Sequence, residues 1–190
     1  MKKYLTSTEI IDCSNPSIIN LAGKLSAGVT SEEELAKRSF EWVRDNIKHS
    51  YDFRLNPVTC KASDVLLHKT GYCYAKSHLL AALLRANGIP AGLCYQRLSI
   101  DGQGSPYSLH GLNAVYLKDF GWYRIDARGN KPGVDAQFCP PVEQLAFTTD
   151  LRLEADLPGI WDEPLDVVVQ TLRRCKTYTE VYENLPDLIP

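Results

Sequence analysis

At Gly88-Ile89-Pro90 the chain changes its period. Before this point apolar residues recur at helical spacing; after it they fall into short extended runs separated by turn residues. Gly88 stops a helix and Pro90 prevents it from continuing. Upstream, a first helix is predicted over 14–27. Ser14 or Asn15 caps it, and Pro16 fits its first turn. A second opens at Thr30 or Ser31, where Ser31-Glu32-Glu33-Glu34 forms a capping box, and runs to about His49. A short helix covers Ser63 to His68. The third main helix begins at or just after Cys73, with Leu79, Leu80, Leu83 and Leu84 as its buried stripe and Lys76, Arg85 and Asn87 toward solvent. Downstream, Ala91–Ile100, Gly111–Leu117 and Trp122–Ile125 read as strands, the last two joined tightly enough to pair antiparallel. A loop rich in Gly and Pro follows Asp126 through Pro141, and helices are expected over 164–176 and 178–184. Helices first and an antiparallel sheet second define an α+β arrangement.

A chain of 190 residues suits one domain, 1–190, with 150–190 as a C-terminal helical elaboration. That length buries a core without disulfide or metal staples. The net charge of -2 gives no basic field, so no nucleic-acid partner is expected. Lys2-Lys3 is followed by polar residues rather than an apolar segment, and no run is long enough to cross a bilayer. The expectation is a cytoplasmic protein without a membrane partner. The six cysteines at 13, 60, 73, 94, 139 and 175 form no close pair, which points to reduced thiols and away from a zinc site. No phosphate loop, dinucleotide fingerprint or HExxH motif occurs, so no cofactor and no metal is expected. The oligomeric state is not set by these features.

Cys73 differs from the other cysteines. It stands at the start of a strongly predicted helix, directly after Thr70-Gly71-Tyr72. A thiolate is the reactive form of cysteine, and it is favoured by a helix N-terminus and by a neighbouring imidazolium. Of the four histidines, His78 falls on another face of the Cys73 helix. His49 reads as a charge partner at a helix C-terminus, and His68 as a surface or capping residue. His110 follows a Gly/Ser/Pro loop at the start of a strand and is succeeded, across a hairpin, by Asp126 at the end of the next strand. Neighbouring antiparallel strands can bring those two side chains together, which is what fixing an imidazole tautomer requires.

The stretch Gly71-Tyr72-Cys73-Tyr74-Ala75-Lys76-Ser77, with the leucine-rich helix to Ala91, resembles the nucleophile helix of the transglutaminase-like superfamily. His110-Gly111-Leu112-Asn113-Ala114-Val115-Tyr116 resembles its histidine strand, and Trp122-Tyr123-Arg124-Ile125-Asp126 its closing strand. Phe40 to Ile47 followed by Tyr51 is similar to the helix ahead of the nucleophile. The likeness covers about residues 15–128. It implies a papain-like, transglutaminase-like α+β core and a Cys-His-Asp thiol enzyme needing no cofactor. Cys73 would be the nucleophile, His110 its base and Asp126 the orienting carboxylate. Leu112 stands where the family commonly has an aromatic, and Ala127-Arg128-Gly129 where Asp is often followed by Pro-Thr; both changes bear on substrate choice. The expected partner is a peptide or protein amide substrate, attacked through a thioester acyl-enzyme as in a cysteine protease or amidase. The alternatives are an acyltransferase (transglutaminase) with the same catalytic triad, and a non-catalytic binding module of the same fold. Segments 101–109 and 127–140 are poor in large apolar residues, Tyr107 and Phe138 being the main ones, which favours water over an amine as acceptor.

Overall fold

Local signals start the helices where the sequence places them. The structure, a computed structural model, describes residues 1–150 and 153–188. Helix α1 (Pro16–Ser26) is capped by Asn15, whose side chain accepts from the Ser17 N–H. Helix α2 (Glu32–Asn46) is capped by Ser31, which accepts from the Glu34 N–H. A two-residue strand β1 (Lys48–His49) leads into a single turn, α3 (Ser50–Phe53), and then α4 (Ala62–His68). Strand β2 (Thr70–Gly71) pairs in parallel with β1 and delivers the chain into α5 (Cys73–Ala86).

Helix α5 is the centre of the molecule. It packs against α1, α2 and α4 on one side and against the sheet on the other, so every residue from Cys73 to Arg85 is buried. Leu79, Leu80, Leu83 and Leu84 are fully enclosed; each such side chain contributes about 2 kcal/mol of burial free energy. Lys76 and Arg85, expected in solvent, are buried instead. A single leucine stripe cannot reveal that layers close over both faces of a helix. Their charged ends are satisfied by backbone carbonyls. Arg85 donates to Ala91, Thr6 and Asp162, and Lys76 to Ile47 and Arg44.

The main sheet has the order β5-β4-β3-β8, antiparallel throughout: β3 (Ala91–Ser99), β4 (Tyr107–Leu117), β5 (Gly121–Ile125) and β8 (Ala155–Asp156). Strand β4 starts at Tyr107 rather than Gly111, so His110 lies inside it. The loop after Asp126 contains a small hairpin of β6 (Gln137–Cys139) and β7 (Val142–Gln144). The C-terminal region is not only helical. β8 joins the sheet edge before α6 (Asp166–Arg174) and α7 (Tyr178–Glu183), because the outer edge of β3 offers unpaired backbone groups there.

Candidate active site

Strand β5 is shorter than β4, and the site occupies the edge this leaves open. Their last pair is Asn113 with Ile125. One step beyond, Asp126 falls beside Leu112 and diagonal to His110, on the same face of the sheet. The His110 Nε2–Asp126 Oδ2 distance is 2.7 Å. Helix α5 approaches from the opposite face. Gly111 permits this, since a Cβ there would lie 3.1 Å from the Tyr74 Cα. The Gly111 N–H, left unpaired by β5, points at the Cys73 sulfur, 3.5 Å away. Cys73, His110 and Asp126, taken from three separate elements, therefore meet at one point.

Asp126 is completely buried, yet its carboxylate accepts from the Arg128 N–H at 3.0 Å and the Ala146 N–H at 3.1 Å as well as from His110. Burial pushes the carboxyl upward, but the His110 charge and these hydrogen bonds outweigh it, and the net shift is downward. Burial opposes protonation of His110 too. The Asp126 charge and then the Cys73 charge reverse this and raise the imidazole to about 10. With Nε2 on Asp126, Nδ1 is the nitrogen left for the sulfur. Phe147 packs edge-on against the ring at 5.0 Å.

A cavity of about 840 Å³ opens around these groups. Its far wall was not legible in the sequence. His49, expected to close a helix as a charge partner, lies beyond the end of α2, is buried and lines the cavity. Burial, then the Arg128 charge, holds it well below the ordinary imidazole range. Next to it Asp52 is bound by Arg128 at 2.6 Å and by Lys131 at 2.8 Å. Those bonds outweigh the opposing effect of burial and bring its carboxyl to about 2. Tyr51, the neighbouring residue of α3, stacks on Tyr182 of α7 at 4.1 Å. A single turn of helix thus joins the loop after Asp126 to the C-terminal segment. That segment also closes part of the open edge, where the Leu109 N–H donates to Pro186 at 2.7 Å.

The aromatic residues expected at the cleft lie elsewhere. Tyr107 sits under the Arg97 guanidinium, and Phe138 is buried between Phe40 and Tyr123. Neither lines the cavity; Phe147, Leu98, Leu109 and Tyr182 do. His68 is exposed at the end of α4, as read from the sequence. Among the described residues no cluster of three or more His, Cys, Asp or Glu forms a metal site.

Residues 19–127 match the transglutaminase-like superfamily. The chain belongs to that superfamily. The match runs from within α1 to the residue after Asp126 and so contains α5, β4 and the end of β5, which build the meeting point. A solved structure of a candidate cysteine protease from Cytophaga hutchinsonii shares the transglutaminase-like fold, with a TM-score of 0.51 and 20% identity over 66% of this chain. The periplasmic domain of TgpA from Pseudomonas aeruginosa is also similar, at a TM-score of 0.48 and 20% identity over 65% of this chain. This chain covers 40% and 45% of those two chains, respectively. No curated protein matches it. Among the described residues of this transglutaminase-like chain, no helix is long and apolar enough to cross a membrane.

Proposed function

We propose that the protein is a thiol hydrolase that cleaves an amide bond through a thioester on Cys73. The observation that carries this reading is the His110 imidazole, held on the buried Asp126 carboxylate at 2.7 Å and paired with the thiol at the start of α5. In the productive state His110 has taken the Cys73 proton, and the thiolate attacks the amide carbonyl carbon. The first-turn N–H groups of α5 have no intrahelical acceptor and are available to the developing oxyanion. His110 then protonates the departing amine, the C–N bond breaks and the acyl group remains on sulfur. Water releases it as the acid. The intact Cys-His-Asp set argues against a pure binding module. The free state of all six cysteines suits a reducing, cytoplasmic setting.

Transfer to an amine by the same thioester is the competing outcome. The apolar side chains that line the cavity, Leu98, Leu109, Phe147 and Tyr182, weaken the expectation from loop composition. Asp52, Arg128, Lys131 and Asp150 also line it, however, and keep the approach wet. The test supplies an activated acyl ester with and without excess lysine-like amine and quantifies acid and amide. Intact mass and peptide mapping locate the acyl group. Acid as the main product, with an acyl adduct on Cys73 that Cys73→Ala abolishes, is expected. Predominant amide at modest amine concentration would replace the hydrolase by a transglutaminase.

A further inference from the structure

Beside the nucleophile, the open edge of β4 is occupied again by the chain itself. The N–H groups of Leu109, Gly111 and Asn113 alternate toward one edge, while the Tyr116 N–H turns the other way, to the Pro90 carbonyl. On that edge β5 pairs from Asn113 onward, and the Gly111 N–H meets the Cys73 sulfur at 3.5 Å. One dyad further, the Leu109 N–H donates to the Pro186 carbonyl at 2.7 Å. The Leu109 carbonyl is used as well, by the Tyr74 hydroxyl. Between Gly111 and Leu109 lies about 7 Å of edge, the length of two extended residues.

The segment that brings Pro186 there is anchored on both sides. Both carboxylate oxygens of Asp187 accept from the Arg97 guanidinium at 2.7 Å, and the Arg97 side chain is buried. Upstream, Tyr182 stacks on Tyr51, and the Tyr178 carbonyl accepts from the hydroxyl of Tyr72, the residue before the nucleophile, at 2.5 Å. Tyr182 and Leu185 face the cavity.

We infer that segment 182–187 is a specificity element that limits the acyl side of the substrate to about two residues ahead of the scissile bond. This rests on the thioester reading above. The His110 ring stands on the sheet face turned away from α5, so the amine it protonates leaves over that face, where Leu98 and Phe147 line the cavity. The acyl carbon stays on sulfur, at the edge, and an extended acyl chain follows β4 as an added strand would. Toward Asn113 that edge is closed by β5. Toward Leu109 it is open only as far as Pro186. A longer acyl chain binds when the segment has detached, so its apparent affinity falls by the fraction of molecules in that state. A short acyl group needs no such opening.

The test uses N-acetylated peptide thiobenzyl esters that share their final residue and carry one, two or four residues in the acyl part. Thiol release under excess protein gives the acylation rate, and mass mapping locates the acyl group on Cys73. In the unaltered protein the four-residue ester should react about 100-fold more slowly than the one-residue ester, as for a segment detached in about 1% of molecules. Asp187→Asn weakens the Arg97 anchor and Pro186→Gly loosens the backbone at the contact; melting curves confirm folding. In each, the four-to-one rate ratio should rise about tenfold as the detached fraction grows. Equal rates for all lengths in the unaltered protein, or an unchanged ratio in whichever variant folds, overturns the assignment. If Cys73 is acylated without regard to length, the inference about the segment fails alone; if no ester acylates it, the thioester reading falls with it.

Discussion

His110 on β4 and His78 on α5 are both closed off from solvent, at 5% and 0% exposure, and their surroundings drive them in opposite directions. His78 has only a backbone carbonyl, that of Cys60 at 2.8 Å, and burial takes its imidazole down to about 4. His110 has a buried carboxylate at 2.7 Å and rises to about 10. Burial suppresses an imidazolium unless a fixed negative charge reverses the balance. The carboxylate needs its own support, and the Arg128 and Ala146 N–H groups supply it. The site is therefore a place where loop backbone, strand end and helix start are arranged around one charge.

The sharpest way to break the contrast is to remove that charge while keeping its shape. Asp126→Asn should lower kcat about 10³- to 10⁴-fold by freeing the His110 tautomer. Circular dichroism should find the fold intact. Near-normal turnover would mean that the carboxylate does not orient His110 during catalysis.

A second test reads the contrast as stability. A His78 held near 4 takes up a proton more readily when unfolded, so its contribution is present above the unfolded value of about 6.5 and is lost as pH falls toward 4. The loss is about 3 kcal/mol over that window, and His49, also depressed, acts in the same direction. His110 has the opposite sign. Its raised imidazole contributes fully below about 6.5 and loses that contribution as pH rises through about 10. Denaturant titrations from pH 4.5 to 10 should show both limbs, with the acid limb flattened in His78→Gln. An unchanged acid limb would show that burial of His78 is not its cause.

The smallest expected effect concerns the thiols. Burial pushes Cys60 to about 11 and Cys94 to about 12, while Cys139 is exposed and Cys73 adjoins a protonated imidazole. Brief, substoichiometric iodoacetamide at pH 6 should label Cys73 about tenfold faster than Cys139 and leave the others untouched, by peptide mapping. Labelling of Cys94 or Cys175 ahead of Cys73 would remove the reason to single out this helix start.

How much was legible follows from range. Asn15, Ser31 and Gly88 act on their own neighbours, and the helix boundaries they mark hold in the structure. The Ala91, Gly111 and Trp122 runs carry strand patterns, and the hairpin between the last two is closed by a short turn, so His110 and Asp126 could be paired from spacing alone. His49 left no such signal. Its place at the cavity depends on a ladder of two residues per strand, Lys48–His49 on Thr70–Gly71, too short for any periodicity to report. The burial of Lys76 and Arg85 was hidden for a related reason. A charged residue reads as exposed unless the acceptors that satisfy it are known, and here they are carbonyls brought in from the end of α2, the start of β3, Thr6 and Asp162.

By itself the sequence determined the order of helices and strands, the helix that begins at Cys73 and the short hairpin linking His110 to Asp126, because caps, turns and periodicity are interactions between near neighbours. Only the tertiary structure decided which face of α5 is enclosed, that β5 stops short and leaves the Gly111 N–H for the thiol, and that His49 and Asp52 face the same cavity. Those outcomes depend on burial and charge contributed by residues far apart in the chain, and such terms take their values only once the elements have packed.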